Sequence, residues 1–301
     1  MHYLGIPIAL LGAILMSVSA YLQHRGVNQV GDKREDASTS ANLGGKELLG
    51  LVKNFSWLSG TACIGLAIAL QLVALMFSPL VVVQPLGVVS LVVTALITAW
   101  QTKVRMSRGK IVAISLCVIG VAAFVTVAAF AADQGPVGDG ETSTVLIVLA
   151  AVLVATLVAY LVLRKTQWRV LMFTIIGGVL YGFMATLARI VLARFQHDEI
   201  GPLLYACAAG LLIALLIGGY AVQSAYAAGS TDIVIAGLTV IDPLVAVAIG
   251  VLILNETMGA GVLEYTLFAL FGAISIAGVV VLQLQTPEEE VEAARKHATR
   301  T

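Results

Sequence analysis

The 301-residue chain is 59% hydrophobic and only 11% charged, with zero formal net charge and a mean hydropathy of +1.00. Soluble domains hold about 25% charged residues, and long helices without a polar face cannot be packed against water. The composition therefore excludes a water-soluble helical protein and a basic nucleic-acid-binding domain, and it indicates an all-α polytopic membrane protein.

A helix needs roughly 20 mostly apolar residues to cross the hydrocarbon core. Nine such runs are predicted, over 3–22, 56–77, 79–100, 111–132, 144–163, 170–192, 202–222, 231–254 and 262–283. The first ends in Val18-Ser19-Ala20, which resembles a cleavage site, but it has no positively charged leader and reads as a helix. His24 and Arg25 follow as headgroup anchors on the cytoplasmic side. A cytoplasmic loop spans 23–55, with 47–53 expected to lie amphipathically along the interface. A ten-helix alternative would drive 36–55 through the bilayer and bury Lys46, Glu47 and Lys53 at some cost.

The second run carries Gln71, and the third opens with SPLVVVQPLGVVS over 78–90, containing Gln84 and Pro85. Residues 1–132 form the first half, with four helices; 144–283 form the second, with five; 284–301 form a cytoplasmic tail. In the second half, YGFMATLARIVLARF over 181–195 places Tyr181 and Arg189 in the sixth run, with Arg189 near its outer end. LTVIDPLVAVAIG over 238–250 places Asp242 about mid-membrane, directly before Pro243. Glu256 and Glu264 then read as solvated outer-edge charges. Thr286 and Glu289, with Pro287 at the first helical position, predict a separate short charged helix in the tail.

The net charge hides a segregation. With nine crossings, all of the 17 Lys and Arg residues except Arg189 and Arg194 fall on one side. Lys and Arg mark the cytoplasmic face, so the N-terminus is expected outside and the C-terminus inside, in a multi-pass protein of the cell membrane. Cys63, Cys117 and Cys207 all lie within apolar runs without metal-ligand spacing and read as core residues. No nucleotide or metalloprotease motif appears, so neither a cofactor, a metal centre, nor a catalytic residue is assigned.

The two halves share a pattern. Gln84-Pro85-Leu86 matches Asp242-Pro243-Leu244, and 35 residues beyond each proline stands a Gly-Val pair, Gly120-Val121 and Gly278-Val279. The two proline runs cross in opposite directions, as in an inverted repeat with a binding site where the halves meet.

At these residues the chain resembles the drug/metabolite transporter (EamA-like) superfamily, whose penultimate helix is similar to 225–256, ending Leu254-Asn255-Glu256. The first half is closer to the NIPA-type magnesium transporter branch, through Ser78-Pro79, Pro85-Leu86-Gly87, Ser90 and the 21–26 segment. It departs from that branch where an acidic residue and an asparagine precede the proline: Ile68 and Gln71 stand there instead. Mg²⁺ favours oxygen ligands, commonly carboxylates. Nine helices also fall one short of the superfamily's usual ten.

The expectation is a secondary transporter moving a small amphiphilic organic solute or lipid-linked intermediate by alternating access, with protons or cations as candidate coupling ions and a homodimer as the candidate assembly. Two alternatives stand beside it: a magnesium or other divalent cation transporter, and a non-transporting membrane scaffold. The residues expected at the site are Asp242, Pro243, Gln84, Pro85, Gln71, Arg189 and Tyr181. Five of them have a blander reading. Asp242 would lock two helices, Gln71 and Gln84 would bond across helices, and Tyr181, like Tyr220 and Tyr226, would belong to an interfacial belt. Arg189 would snorkel to the headgroups; its sharper reading turns it into the cavity, to bind an anion or to pair with Asp242.

Overall fold

The computed structural model describes residues 4–31, 54–102, 107–132, 137–166, 168–228, 231–257 and 259–298. The predicted interfacial segment 47–53, and with it nearly all of the ten-helix alternative, lies outside them. The described residues form α1 (Gly5–Gly31), α2 (Phe55–Phe77), α3 (Leu80–Leu86), α4 (Val89–Thr102), α5 (Arg108–Ala131), α6 (Asp139–Leu163), α7 (Arg169–Gln196), α8 (Pro202–Ala228), α9 (Thr231–Leu252) and α10 (Val262–Ala298), with no strand among them. Eight segments are long and apolar enough to span a membrane, α3 and α4 together making one; α9 adds a shorter apolar stretch, Gly237–Leu252.

Two elements differ from expectation. The third run is broken in two, because Pro85 has no N–H to give to the turn behind it and its ring crowds the carbonyl four residues back. Gly87 and Val88 bridge the break with tight bonds, Gly87 N–H to the Gln84 carbonyl at 3.1 Å and Val88 N–H to the Pro85 carbonyl at 3.2 Å. The tail helix is not separate: α10 runs unbroken through Thr286 and Pro287 to Ala298. The Glu, Ala, Arg and Lys that follow Pro287 are strong helix formers, and they outweigh the proline.

Starts of helices are capped locally where the sequence allows it. Asn54 accepts the Trp57 N–H at 3.1 Å to open α2, and Ser107 accepts the Lys110 N–H at 3.2 Å to open α5. Lipid offers no hydrophobic drive between helices, so close packing of small residues takes its place. At the α1–α2 seam Ser19 donates to the Gly60 carbonyl at 2.8 Å. Gly178 and Gly182 let α9 lie against α7, and a Cβ on either would collide with Ile241 or Val245 at 2.7 Å.

The crossing of α5 and α10 is reciprocal. A Cβ at Gly120 would stand 2.6 Å from the Ser275 nitrogen, and one at Gly278 would stand 2.5 Å from the Cys117 nitrogen. Each glycine thus meets the residue three places before the other. The core gathers on α3, whose Leu80, Val81 and Val83 are wholly buried, and on α7, through Leu180, Leu187 and Ile190. Helix α7 is 61% buried along its span and α6 only 11%, so α7 is the central post and α6 stands at the lipid edge.

Candidate functional site

A pocket of about 70 Å³ opens between α3, α5, α9 and α10. Pro85 of α3 and Pro243 of α9 both line it, and so do Val121 and Val279 from the two Gly-Val pairs. Thr239 and Ser275 supply its hydroxyl groups; the remaining side chains are aliphatic or aromatic. Pro243 also deprives the Thr239 carbonyl of its helical donor, while the Thr239 hydroxyl bonds to the Ile235 carbonyl at 2.8 Å.

Asp242 does not line this pocket, though its neighbour Pro243 does. It sits where α9 meets α7: a Cβ at Gly182 would lie 2.9 Å from its carbonyl oxygen. Its Oδ1 is buried and has no hydrogen-bond partner among the described residues. Tyr181, half-buried on α7, lies within electrostatic range of both Asp242 and Tyr226. The structure therefore brings together Pro85 with Pro243, and Asp242 with Tyr181.

Other expected site residues lie elsewhere. Gln84 is buried behind Pro85 and does not line the pocket. Gln71 is half-buried on α2 close to Gly12 of α1, and α2 contributes nothing to the lining. Ile68, where the resemblance placed an acid, is 52% exposed on α2, so its loss does not touch this pocket.

Arg189 neither snorkels nor pairs with Asp242. It is 3% exposed, and its Nε lies 3.9 Å from Glu256 Oε1. Glu256, read from sequence as solvated, is itself 5% exposed. Its Oε1 accepts the Leu80 N–H at 3.0 Å and its Oε2 accepts the Val81 N–H at 2.9 Å. The reason lies at the start of α3, where Pro79 offers no side-chain acceptor and the first amides need one from elsewhere. The end of α9 delivers it. Asn255 adopts a left-handed φ of 56°, and the Glu256 N–H returns to the Gly250 carbonyl at 3.0 Å, closing the helix as a C-cap. Gly250 leaves the room: a Cβ there would stand 2.9 Å from Glu256 Oε2. Burial pushes the Glu256 carboxyl above its ordinary range, against the opposing pull of the Leu80 and Val81 amides and of Arg189. The signal that sequence reasoning passed over is an apolar helix start behind Ser78-Pro79 with no acceptor of its own.

Arg194 is also buried, and its partners are Asp139, Thr142 and Glu199, with the Glu199 carboxylate 3.3 Å away. Among the described residues no group of three or more His, Cys, Asp or Glu converges in a way that could hold a metal ion.

The family model of the magnesium transporter NIPA matches residues 1–191. The chain belongs to the NIPA magnesium transporter family. It is therefore a multi-pass membrane transporter within the drug/metabolite transporter superfamily, and nothing points to the EamA-like branch in particular. The NIPA match runs from α1 through Arg189 on α7 and stops short of α9, Asp242 and Glu256. This NIPA-family chain is also similar to an uncharacterized protein of Corynebacterium glutamicum, 26% identical over 257 residues that span 85% of this chain and 86% of that protein. No solved structure matches it.

Proposed function

We propose that this NIPA-family transporter carries a cation, with Mg²⁺ the first candidate, by alternating access around the pocket between its two proline helices. One observation carries the reading: the buried, unpartnered Oδ1 of Asp242, next to Pro243. A carboxylate oxygen without a donor inside a membrane bundle is costly, and a passing cation or a proton offsets that cost. A lone acid suits Mg²⁺, which keeps several waters and takes one or two carboxylates.

The reciprocal Gly120–Ser275 and Gly278–Cys117 contacts support two inverted halves. Pro85 and Pro243 stand 158 residues apart, as do Gly120 and Gly278, and Cys117 and Ser275. Helix pairing follows the same scheme: α1 packs along α2 as α7 packs along α8, and α5 packs along α10. On this reading α6 is the helix without a counterpart in the first half.

The test is Mg²⁺ uptake into proteoliposomes containing a Mg²⁺-sensitive dye. Saturable uptake that Asp242→Asn abolishes and Asp242→Glu partly retains supports the reading; wild-type protein that passes no Mg²⁺ or other divalent ion refutes it.

The pocket lining favours a second reading. Val88, Phe124, Leu244 and Val247 would suit an amphiphilic organic solute or lipid-linked cargo. Mass spectrometry of protein extracted from its native membrane should then return one enriched species, which a cation carrier would not.

A further inference from the structure

We propose that Glu256, Arg189 and the amides of Leu80 and Val81 form a latch that shuts one end of the transport pathway, by tying the start of the first proline helix to the end of the second. The proposal rests on the alternating-access reading above. On the charge distribution of the loops, the latched end is the outer one.

The geometry distinguishes this cluster from an ordinary cap. A helix start is usually served by its own preceding residue. Here the acceptor comes from 176 residues away, at the end of α9. Helix α3 cannot part from α9 without stripping its first two amides. Both proline helices flank the pocket, so one side chain decides whether their shared end can open. The contacts also dry the closed end: Glu256 and Arg189 are almost fully buried, and Gly250 lets Val81 and the carboxylate press against α9.

The latch can open because of what it is made of. A carboxylate, a guanidinium and backbone amides are all well hydrated once water enters. An aliphatic plug of the same size would expose apolar surface instead. The 158-residue spacing that relates the prolines puts Thr98, with no carboxylate, where Glu256 stands, and its hydroxyl bonds to the Thr94 carbonyl of its own helix at 2.9 Å.

The experiment places a reporter in the pocket. Ser275→Cys is built in a chain with Cys63, Cys117 and Cys207 replaced by alanine, and a membrane-impermeant maleimide is applied to each face of oriented vesicles. Glu256→Ala should raise labelling from the latch face about tenfold, an equilibrium shift of about 1.4 kcal/mol, without raising it from the other face. Labelling equal to the parent in monodisperse protein overturns the proposal, as does an equal rise from both faces. If Glu256→Ala does not fold, Glu256→Gln decides: its NH2, unlike a protonated carboxyl oxygen, cannot accept and sets a donor against the Leu80 or Val81 N–H, so a smaller rise from the latch face supports the latch and an unchanged rate overturns it. Labelling needs no transported substrate. Absent Mg²⁺ uptake with the expected labelling refutes the cation reading alone, and normal uptake with unchanged labelling refutes the latch alone.

Discussion

Gly278→Ala tests the crossing on which the relation between the halves rests. The added Cβ would stand 2.5 Å from the Cys117 nitrogen, 2.9 Å from its Cα and 3.0 Å from the Ala113 carbonyl oxygen. Heavy atoms rest best at about 3.5–4.0 Å, so the contact is about 1 Å too close. The obstructing atoms belong to the backbone of α5 and cannot swing aside, so the helices must separate or bend. Overpacking of this kind costs about 1–3 kcal/mol, and alanine's better helix propensity returns about 0.5–1 kcal/mol. The net expectation is a loss of up to about 2.5 kcal/mol. Gly65→Ala and Gly219→Ala are the controls, since a Cβ at either meets nothing within 4 Å; both should gain stability. Thermal unfolding of the purified proteins in one detergent measures all three. Gly120→Ala should behave like Gly278→Ala, and the double variant should lose less than the two singles together, because the first separation already makes room for the second. If Gly278→Ala melts with or above Gly65→Ala, the crossing is not as close as described and the argument for paired halves fails with it.

Asp242→Asn replaces a carboxyl whose buried Oδ1 has no hydrogen-bond partner among the described residues, so the melting temperature should hold or rise while Mg²⁺ uptake falls at least about tenfold, roughly 1.4 kcal/mol in rate; a lower melting temperature would mark Asp242 as a helix lock. The pH dependence of the latch has a definite sign. Burial holds the Glu256 carboxyl above its ordinary range, with Arg189 the charged group facing it, so the latched form binds the proton more tightly than a hydrated Glu256 would. Acid therefore favours the latched state, and latch-face labelling of Ser275→Cys should climb as pH rises above about 4.3. Thiol ionisation alone sets the slope in the Glu256→Gln protein, and identical slopes in the two proteins would remove Glu256 as the titrating group. Asn255 holds a left-handed φ of 56°. Asn255→Gly should be tolerated and Asn255→Ala should cost about 1–2 kcal/mol, read as a lower melting temperature and looser latch. Asp139→Asn should cost less than about 1 kcal/mol although it pairs with buried Arg194, because the carboxylate itself is 77% exposed.

The sequence revealed most of what depends on apolar length and on residues with unusual backbones. Nine apolar runs correspond to the described helices because water and lipid sort long segments by hydropathy before any tertiary contact forms. Pro85 and Pro243 could be paired from sequence because each leaves a mark, a missing donor, that no neighbour can hide. The two prolines act differently: α3 ends just past Pro85, whereas α9 continues through Pro243. The first proline has Gly87 two residues on, a further weakness in the helix, whereas Pro243 is followed by nine residues of Leu, Val, Ala, Ile and Gly to the end of α9.

The polar contacts were read less well, and the two misread residues fail for one reason. Arg189 and Glu256 were each judged by distance from the predicted membrane edge, a one-dimensional measure that treats the end of a helix as wet. Their burial is set by a third partner, the start of α3, whose donors are main-chain amides. Amides carry no letter in the sequence. Only the unusual opening Ser78-Pro79-Leu80 shows that two of them have no local acceptor, and an acid just past a helix end, beyond Gly250 and a left-handed Asn255, is the group able to reach them. The family match ends at residue 191 and so includes Arg189 but not Glu256. One side of the ion pair thus lies in the part shared with NIPA transporters, while its partner lies beyond it. A relative that carries the arginine should then need an acceptor for its own α3 amides, and where no glutamate follows its α9, another group must close that end of the bundle.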